Sequence, residues 1–276
     1  MSLAIIGLDG MTWDMIDPNL ARLPTLAKVK ERYGHGTLVC DVLAHSAPAW
    51  TTCFTGLKPE EHGVYEFYRM IPGRRKDPPR QQRGKPLRRE DIEARFIWEE
   101  LEEAQGLKTA ALTIYCTVPP TNHNCHYTQA LPFTLSLTMA EVKEATERQT
   151  EKVLELLADG VDFLATVFIG PDKAHHVWKR DPETIQVYRW CDEALARILP
   201  EVDDWMIVSD HGYPSLRVTG QYGSSVPSHD PRGIVLCSWT HEVPRRLSEV
   251  TPFIRAYYDG LDQEHVKERL CALGYL

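Results

Sequence analysis

Four short stretches, far apart in the chain, gather the side chains that a two-metal phosphoryl-transfer site needs. They are Gly7-Leu8-Asp9-Gly10, Ser46-Ala47-Pro48-Ala49-Trp50, Asp172-Lys173-Ala174-His175-His176 and Ser209-Asp210-His211-Gly212. His229 adds one more candidate ligand. Carboxylates mixed with imidazoles suit Zn²⁺, Mn²⁺ or Fe²⁺. A serine just ahead of a proline can open a helix, where unpaired N–H groups and the helix dipole favour an anion such as phosphate. Each stretch is ordinary alone. In this order, and mostly after strand-like runs, they point to a hydrolase of phosphate esters.

Such residues act together only if strand ends hold them. Residues 3–8 form an apolar run that reads as a buried central strand, with Asp9-Gly10 as its turn. Residues 19–33 have helical spacing up to a stop at Gly34, 36–43 read as a strand, and a helix opened near Pro48 runs to Gly56. Residues 69–89 are rich in Arg, Lys, Pro and Gln and read as an exposed insertion. Helical spacing returns over 90–104 and stops at Gly106; 108–115 is strand-like, ending at Pro119-Pro120. Thr138-Met139-Ala140-Glu141 is a capping box for a helix reaching about Leu157. Residues 161–169 are almost continuously apolar, as a parallel strand covered on both faces requires. A helix over 182–199, strands over 205–208 and 233–237 and a closing helix over 264–273 complete the alternation.

The expected fold is therefore α/β, with a mostly parallel central sheet and helices on both faces. Residues 1–276 read as one domain, with 64–95 and 116–140 as small cap insertions. Ligands bind at the carboxyl ends of strands in such sheets, so Asp9, Asp172, Asp210, His211 and Ser46 should meet at one edge.

Composition narrows the partners. The chain has 276 residues, 43% hydrophobic and 25% charged, which suits a soluble globular protein with a sizeable core. A net charge of −8 argues against general nucleic-acid binding. It leaves an anionic substrate open, because bound divalent cations would dominate the local field. No basic leader precedes the first strand, no apolar run is long enough to span a membrane, and seven scattered cysteines show no C-x-x-C spacing. These features suit a cytoplasmic protein without a disulfide framework.

The stretches resemble the alkaline phosphatase superfamily, and within it the type I phosphodiesterase/nucleotide pyrophosphatase family. There a first strand ends in Asp-Gly, the nucleophile is a Thr or Ser just before a Pro, and a segment like Phe54-Thr55-Gly56-Leu57-Lys58-Pro59-Glu60-Glu61-His62-Gly63 follows. Phe96-Ile97-Trp98 and Val118-Pro119-Pro120 are also similar, and Asp-x-x-x-His, then Asp-His-Gly, then a late His complete the order. The resemblance covers roughly residues 3–240. It implies that Asp172, His176 and His229 hold one metal, and that Asp9, Asp210 and His211 hold another together with Ser46 Oγ. The two metals would sit about 4 Å apart. Ser46 would be the nucleophile and form a phosphoserine intermediate.

Two positions depart from related patterns. Ala49 stands where nucleotide pyrophosphatases usually carry an Asn, and Trp50 stands where the sulfatase signature has an Arg. The four-residue spacing from Asp172 selects His176 over His175, because positions i and i+4 share a helix face. His175, Lys173 and Tyr213 are candidate substrate contacts, and Trp50 reads either as packing or as an aromatic wall for substrate. The expected activity is metal-dependent cleavage of a phosphodiester or pyrophosphate bond in a small soluble, nucleotide-like molecule. A phosphomonoesterase or phosphomutase on the same core is the alternative enzyme. A non-catalytic metal or nucleotide-binding protein is the alternative from another class.

Overall fold

Leu3–Leu8 is apolar at every position because neither of its faces meets water: all six residues of this strand, β1, are buried. The computed structural model describes residues 2–70, 83–117, 125–129, 138–179, 182–213 and 229–260. In chain order its strands are β1, β2 (Gly34–Val39), β3 (Tyr68–Met70), β4 (Arg83–Pro86), β5 (Thr109–Leu112), β6 (Cys125–Gln129), β7 (Phe163–Phe168), β8 (Asp204–Val208) and β9 (Arg232–Cys237). The helices are α1 (Trp13–Ile16), α2 (Pro24–Arg32), α3 (Ser46–Thr55), α4 (Pro59–His62), α5 (Ile97–Gln105), α6 (Met139–Ala158), α7 (Gly170–Trp178), α8 (Pro182–Ile198) and α9 (Val250–Tyr258).

Seven strands form one sheet in the order β2-β9-β8-β1-β7-β5-β6. β1 runs parallel to both β7 and β8, and β5 parallel to β7 and β6. Only β9 is reversed, pairing antiparallel with β8 and β2. The expected α/β fold with a mostly parallel sheet is thus observed. Alternation along β1 builds two cores. Leu3 and Ile5 pack with Trp50 and Phe54 of α3, Trp98 of α5 and Phe253 of α9. Ala4, Ile6 and Leu8 pack with Leu26 of α2, Val153 of α6 and Tyr188 of α8. Burying side chains of this size contributes about 1.5–3 kcal/mol each, which favours a sheet covered on both faces.

Several elements differ from expectation. The stretch expected as one helix over 19–33 is a 3₁₀ turn (Asp17–Arg22) followed by α2. Tyr33, with extended φ of −121°, closes α2, so Gly34 opens β2 instead of stopping a helix. The segment 116–140, expected as a cap, contributes β6, which extends the main sheet beside β5. Its sequence, Cys-His-Tyr-Thr-Gln, has no apolar run to announce a strand. The basic segment 69–89 is not wholly exposed: β4 pairs with β3, and Arg89 is buried in a two-bond ion pair with Glu99. The Arg74-Arg75-Lys76 run, Val118-Pro119-Pro120 and the helix expected over 264–273 lie outside the described residues. No helix among the described residues is long and apolar enough to cross a membrane.

Candidate active site

The carboxyl ends of β1, β7 and β8 carry the site. Asp9 follows β1, Ser209-Asp210-His211 follows β8, and β7 leads into α7, which bears Asp172 and His176 one turn apart. Ser46 opens α3, with Pro48 in its first turn, so its N–H and that of Ala47 lack intrahelical acceptors. His229 comes before β9, not after it. Because β9 is antiparallel, its start lies at the edge where its parallel neighbours end. Hydrogen bonds from Gly212 N–H to Asp230 O (2.8 Å) and from Ser209 N–H to Ile234 O (2.9 Å) lock the two segments together. A Cβ at Gly233 would lie 2.1 Å from Ser209 O, so only glycine permits this approach.

The expected ligands meet in two adjoining groups. In one, Ser46 Oγ lies 3.4 Å from both Asp9 Oδ1 and His211 Nε2. His211 Nε2 is 3.3 Å from Asp210 Oδ2 and 3.7 Å from Asp9 Oδ1. In the other, His176 Nε2 is 3.3 Å from Asp172 Oδ1 and 3.1 Å from His229 Nε2, which is itself 3.6 Å from Asp172 Oδ1. The rings of His211 and His229 stack at 3.9 Å and join the groups. His211 belongs to both: donor atoms of Asp9, Asp210 and His211 lie within 4.8 Å of one another, as do those of Asp172, His211 and His229.

Burial sets the electrostatics. Asp9 is pushed up to about 7 by burial and then by Asp172, partly offset by Lys173 and the Trp50 hydrogen bond. Burial, then Asp9 and Asp172, raise Asp210 well above the usual carboxylate range. Burial also acts to raise Asp172, but His176, Lys173 and His229 together hold it well below its ordinary value. Burial drives His211 well below the normal imidazole value and His229 down to about 4, so both stay neutral with a lone pair to offer. His211 Nδ1–H donates to Gly212 O at 3.0 Å, which turns Nε2 inward. Asp172 Oδ1, Asp210 Oδ2 and His229 Nδ1 are buried without a hydrogen-bond partner. Unpaired buried carboxylate oxygens beside neutral imidazoles fit divalent cations, and the O/N donor set fits Zn²⁺, Mn²⁺ or Fe²⁺.

The candidate substrate contacts fare differently. Trp50 has no exposed surface and donates its indole N–H to Asp9 Oδ2 at 3.2 Å, so it is no wall of an open pocket. His175 turns away from the ligands: Nδ1–H donates to Lys179 O and Nε2 accepts from Tyr188 Oη at 2.8 Å. It is 1% exposed, which corrects its reading as a substrate contact. Lys173 is also buried, with Nζ 3.2 Å from Asp172 Oδ2. Tyr213 stacks on His175 at 4.8 Å and meets His176 edge-on at 5.6 Å.

A family model for type I phosphodiesterase/nucleotide pyrophosphatase matches residues 3–226. The chain belongs to that family. No curated protein matches the sequence significantly. Among solved structures, phosphonoacetate hydrolase from Sinorhizobium meliloti 1021 with phosphonoformate is 15% identical, with a TM-score of 0.55, over 77% of this chain and 56% of that one. Murine ectonucleotide pyrophosphatase/phosphodiesterase 5 in complex with AMP is 20% identical, with a TM-score of 0.55, over 79% of this chain and 59% of that one. A 2-O GAG sulfatase is 11% identical, with a TM-score of 0.65, over 94% of this chain and 70% of that one. These likenesses establish the fold. The type I phosphodiesterase-family chain spans less than two thirds of the length of the hydrolase and of the ectonucleotide pyrophosphatase.

Two site residues of this phosphodiesterase-family chain gave no sequence signal. Tyr188 on α8 bridges His175 and the N–H of Thr12, which lies 3.3 Å from its hydroxyl. Tyr115 follows β5, with its ring 5.0 Å from Phe67. Burial, then the charges of Asp9, Asp172 and Asp210, hold its phenol far above the ordinary tyrosine range. Thr113 (φ 60°) and Cys116 (φ 63°) flank it in left-handed backbone, a strain that only tertiary structure reveals.

Proposed function

We propose that this chain is a metal-dependent phosphohydrolase that cleaves phosphodiester or pyrophosphate bonds through a Ser46 phosphoenzyme. The observation that carries the reading is the position of Ser46 Oγ, 3.4 Å from both Asp9 Oδ1 and His211 Nε2, at the start of a buried helix. A binding module has no use for a hydroxyl held there. Asp172, His176 and His229 would hold one cation, and Asp9, Asp210 and His211 the other, beside Ser46. Two divalent ions there, Zn²⁺ first and Mn²⁺ or Fe²⁺ as alternatives, would lower the pKa of the serine hydroxyl and neutralise charge on the phosphoryl group.

The protein's own groups supply the rest. The N–H groups of Ser46 and Ala47 in the first turn of α3 receive phosphoryl oxygens. Ser46 Oγ forms a bond to phosphorus as the bond to the leaving oxygen breaks. Water then cleaves the Oγ–P bond, releasing phosphate or a phosphate monoester and restoring the serine hydroxyl. Among the described residues, Lys173 is a buried ammonium beside the ligands, and it pairs with Asp172, which leaves it poorly suited to the extra charge of a monoester. This favours the diester reading over the monoesterase one. The family and the AMP bound by the ectonucleotide pyrophosphatase support a small, nucleotide-like substrate. Five cysteines, Cys40, Cys53, Cys116, Cys191 and Cys237, are free, which suits the cytoplasm.

The test compares bis-p-nitrophenyl phosphate with p-nitrophenyl phosphate, with Zn²⁺ or Mn²⁺ added. Faster turnover of the diester is expected, and Ser46→Ala should abolish it while metal uptake persists. Retained turnover in Ser46→Ala would exclude the phosphoserine route.

A further inference from the structure

We infer that Trp50 is a positioning residue for Asp9, holding that carboxylate so that it offers a bound divalent cation only one oxygen. The inference rests on the two-metal reading above and identifies what keeps its ligands still. Each carboxylate of the site has one oxygen tied to a protein N–H group and the other turned inward. Asp9 Oδ2 accepts from Trp50 Nε1–H at 3.2 Å, whereas Oδ1 lies 3.4 Å from Ser46 Oγ. Asp210 Oδ1 accepts from Gly10 N–H at 3.4 Å, and its Oδ2 has no hydrogen-bond partner. Asp172 Oδ2 pairs with Lys173 Nζ at 3.2 Å, and its Oδ1 faces His176 and His229. Supports of this kind orient ligands and set metal affinity.

Among these supports Trp50 is the one whose residue type needs explaining. It sits four residues after Ser46, one turn deeper on the same face of α3. That single helix therefore grips both oxygens of Asp9, one through the nucleophile and the other through the indole. Any large apolar residue could fill the core beside Phe54, whose ring stacks on Trp50 at 5.7 Å. Tryptophan alone among them adds an N–H, its sole polar atom, and here that donor goes to Asp9.

The chain also makes room for the ring. A Cβ at Gly7 would lie 2.5 Å from Trp50 Cη2 and 2.8 Å from Val167 Cγ2. Gly7, on β1, lies two residues before Asp9, which follows the strand and still donates its N–H to Phe168 O at 3.0 Å, so the alternation of β1 carries both to one face. The missing side chain lets the indole lie against the strand directly beneath the carboxylate.

Metal-free protein titrated with Zn²⁺ alone, and with Co²⁺ for its visible spectrum, tests this. Three variants serve: Trp50→Phe, Gly7→Ala, and replacement of Trp50 by 3-benzothienylalanine, which keeps the bicyclic shape but has sulfur in place of N–H. Wild type should take up two ions. The benzothienyl protein should lose about 10–100-fold in affinity at one site only, with an altered Co²⁺ spectrum. Trp50→Phe should do the same, and Gly7→Ala, which displaces the ring while leaving its N–H, should match them. Wild-type affinity and spectrum in the benzothienyl protein would reduce Trp50 to packing and overturn the inference, even if Trp50→Phe fails to fold. Fewer than two ions on the wild type would overturn the two-metal reading and this inference with it.

Discussion

His229 Nε2 lies 3.1 Å from His176 Nε2, although 53 residues separate them and the latter sits on α7, after β7, while the former precedes the antiparallel β9. Asp172 Oδ1 is 3.3 Å from one nitrogen and 3.6 Å from the other. Two imidazole nitrogens and a carboxylate oxygen at these distances must share a proton or a cation. Burial lowers the pKa of His229 to about 4, so at neutral pH its ring is uncharged and able to ligate a cation. His229→Ala should therefore lower zinc content from two ions to one after dialysis against micromolar metal. The affected site should weaken by at least about 100-fold, since even outer supports cost up to that much. Metal analysis of the dialysed protein reads this directly, and two ions retained would remove His229 from the ligand set.

Metal removal should also weaken the fold. Asp9, Asp172 and Asp210 are almost wholly buried and repel one another. A cation that binds only the folded chain stabilises it by about 2.7 kcal/mol at a hundredfold excess over its Kd. For a chain of this length that is a rise of roughly 5–10 °C in Tm. Thermal scans of chelated protein with and without added Zn²⁺ measure it, and a flat Tm would argue that the cluster is satisfied without metal.

What the sequence revealed of this site was the part governed by short-range geometry. Asp172 and His176 are one helical turn apart, and Asp9 and Asp210 each end an apolar run, so periodicity alone brings them to one edge. His229 was recoverable only as a late histidine, because nothing in Gly233–Cys237 records that β9 runs backwards. Strand direction depends on which edge is free for pairing, a tertiary property. Trp50 was legible as a buried aromatic, yet the target of its N–H depends on β1 lying against α3. Arg89 was submerged in a basic stretch whose composition says solvent, and its burial follows from Glu99 ten residues later.

That pair is a second stability test. Arg89 Nε and Nη2 donate to the two oxygens of Glu99 at 2.6 Å each, Nη2 donates also to Ala94 O, and Nη1 donates to Ile92 O. Glu99 also accepts from Phe96 N–H at 3.0 Å, so the ion pair fixes the entry to α5. Arg89→Met leaves a buried carboxylate unpaired and should cost about 3–5 kcal/mol. Adding Glu99→Met should recover much of that loss, because the second change removes the stranded charge. Urea unfolding of the two single variants and the double variant closes the cycle, and an Arg89→Met cost under about 1 kcal/mol would show that water reaches Glu99.

His62 supplies the pH test, on the face of α3 away from the metal ligands. Its Nδ1 accepts from Val64 N–H at 3.1 Å, which places the proton on Nε2, where it donates to Thr52 Oγ1 at 3.0 Å. Burial lowers its pKa from 6.5 to about 4, against the opposing pull of Glu60 and Glu61. Below pH 6.5 the unfolded chain takes up a proton at this residue that the folded chain refuses until about pH 4. The contribution of His62 is thus complete above pH 6.5 and is lost as pH falls toward 4. His62→Gln carries no such proton. At neutral pH it should be less stable than wild type by about 1–2 kcal/mol, for the imperfect replacement of two buried hydrogen bonds. The gap should shrink on acidification and reverse before pH 4, as wild type alone meets the cost of protonating or releasing the ring. Urea unfolding of both proteins at several pH values between 7 and 4 measures the gap. A constant difference would mean that His62 titrates alike in both states and that the tie between α4 and α3 admits a charged ring.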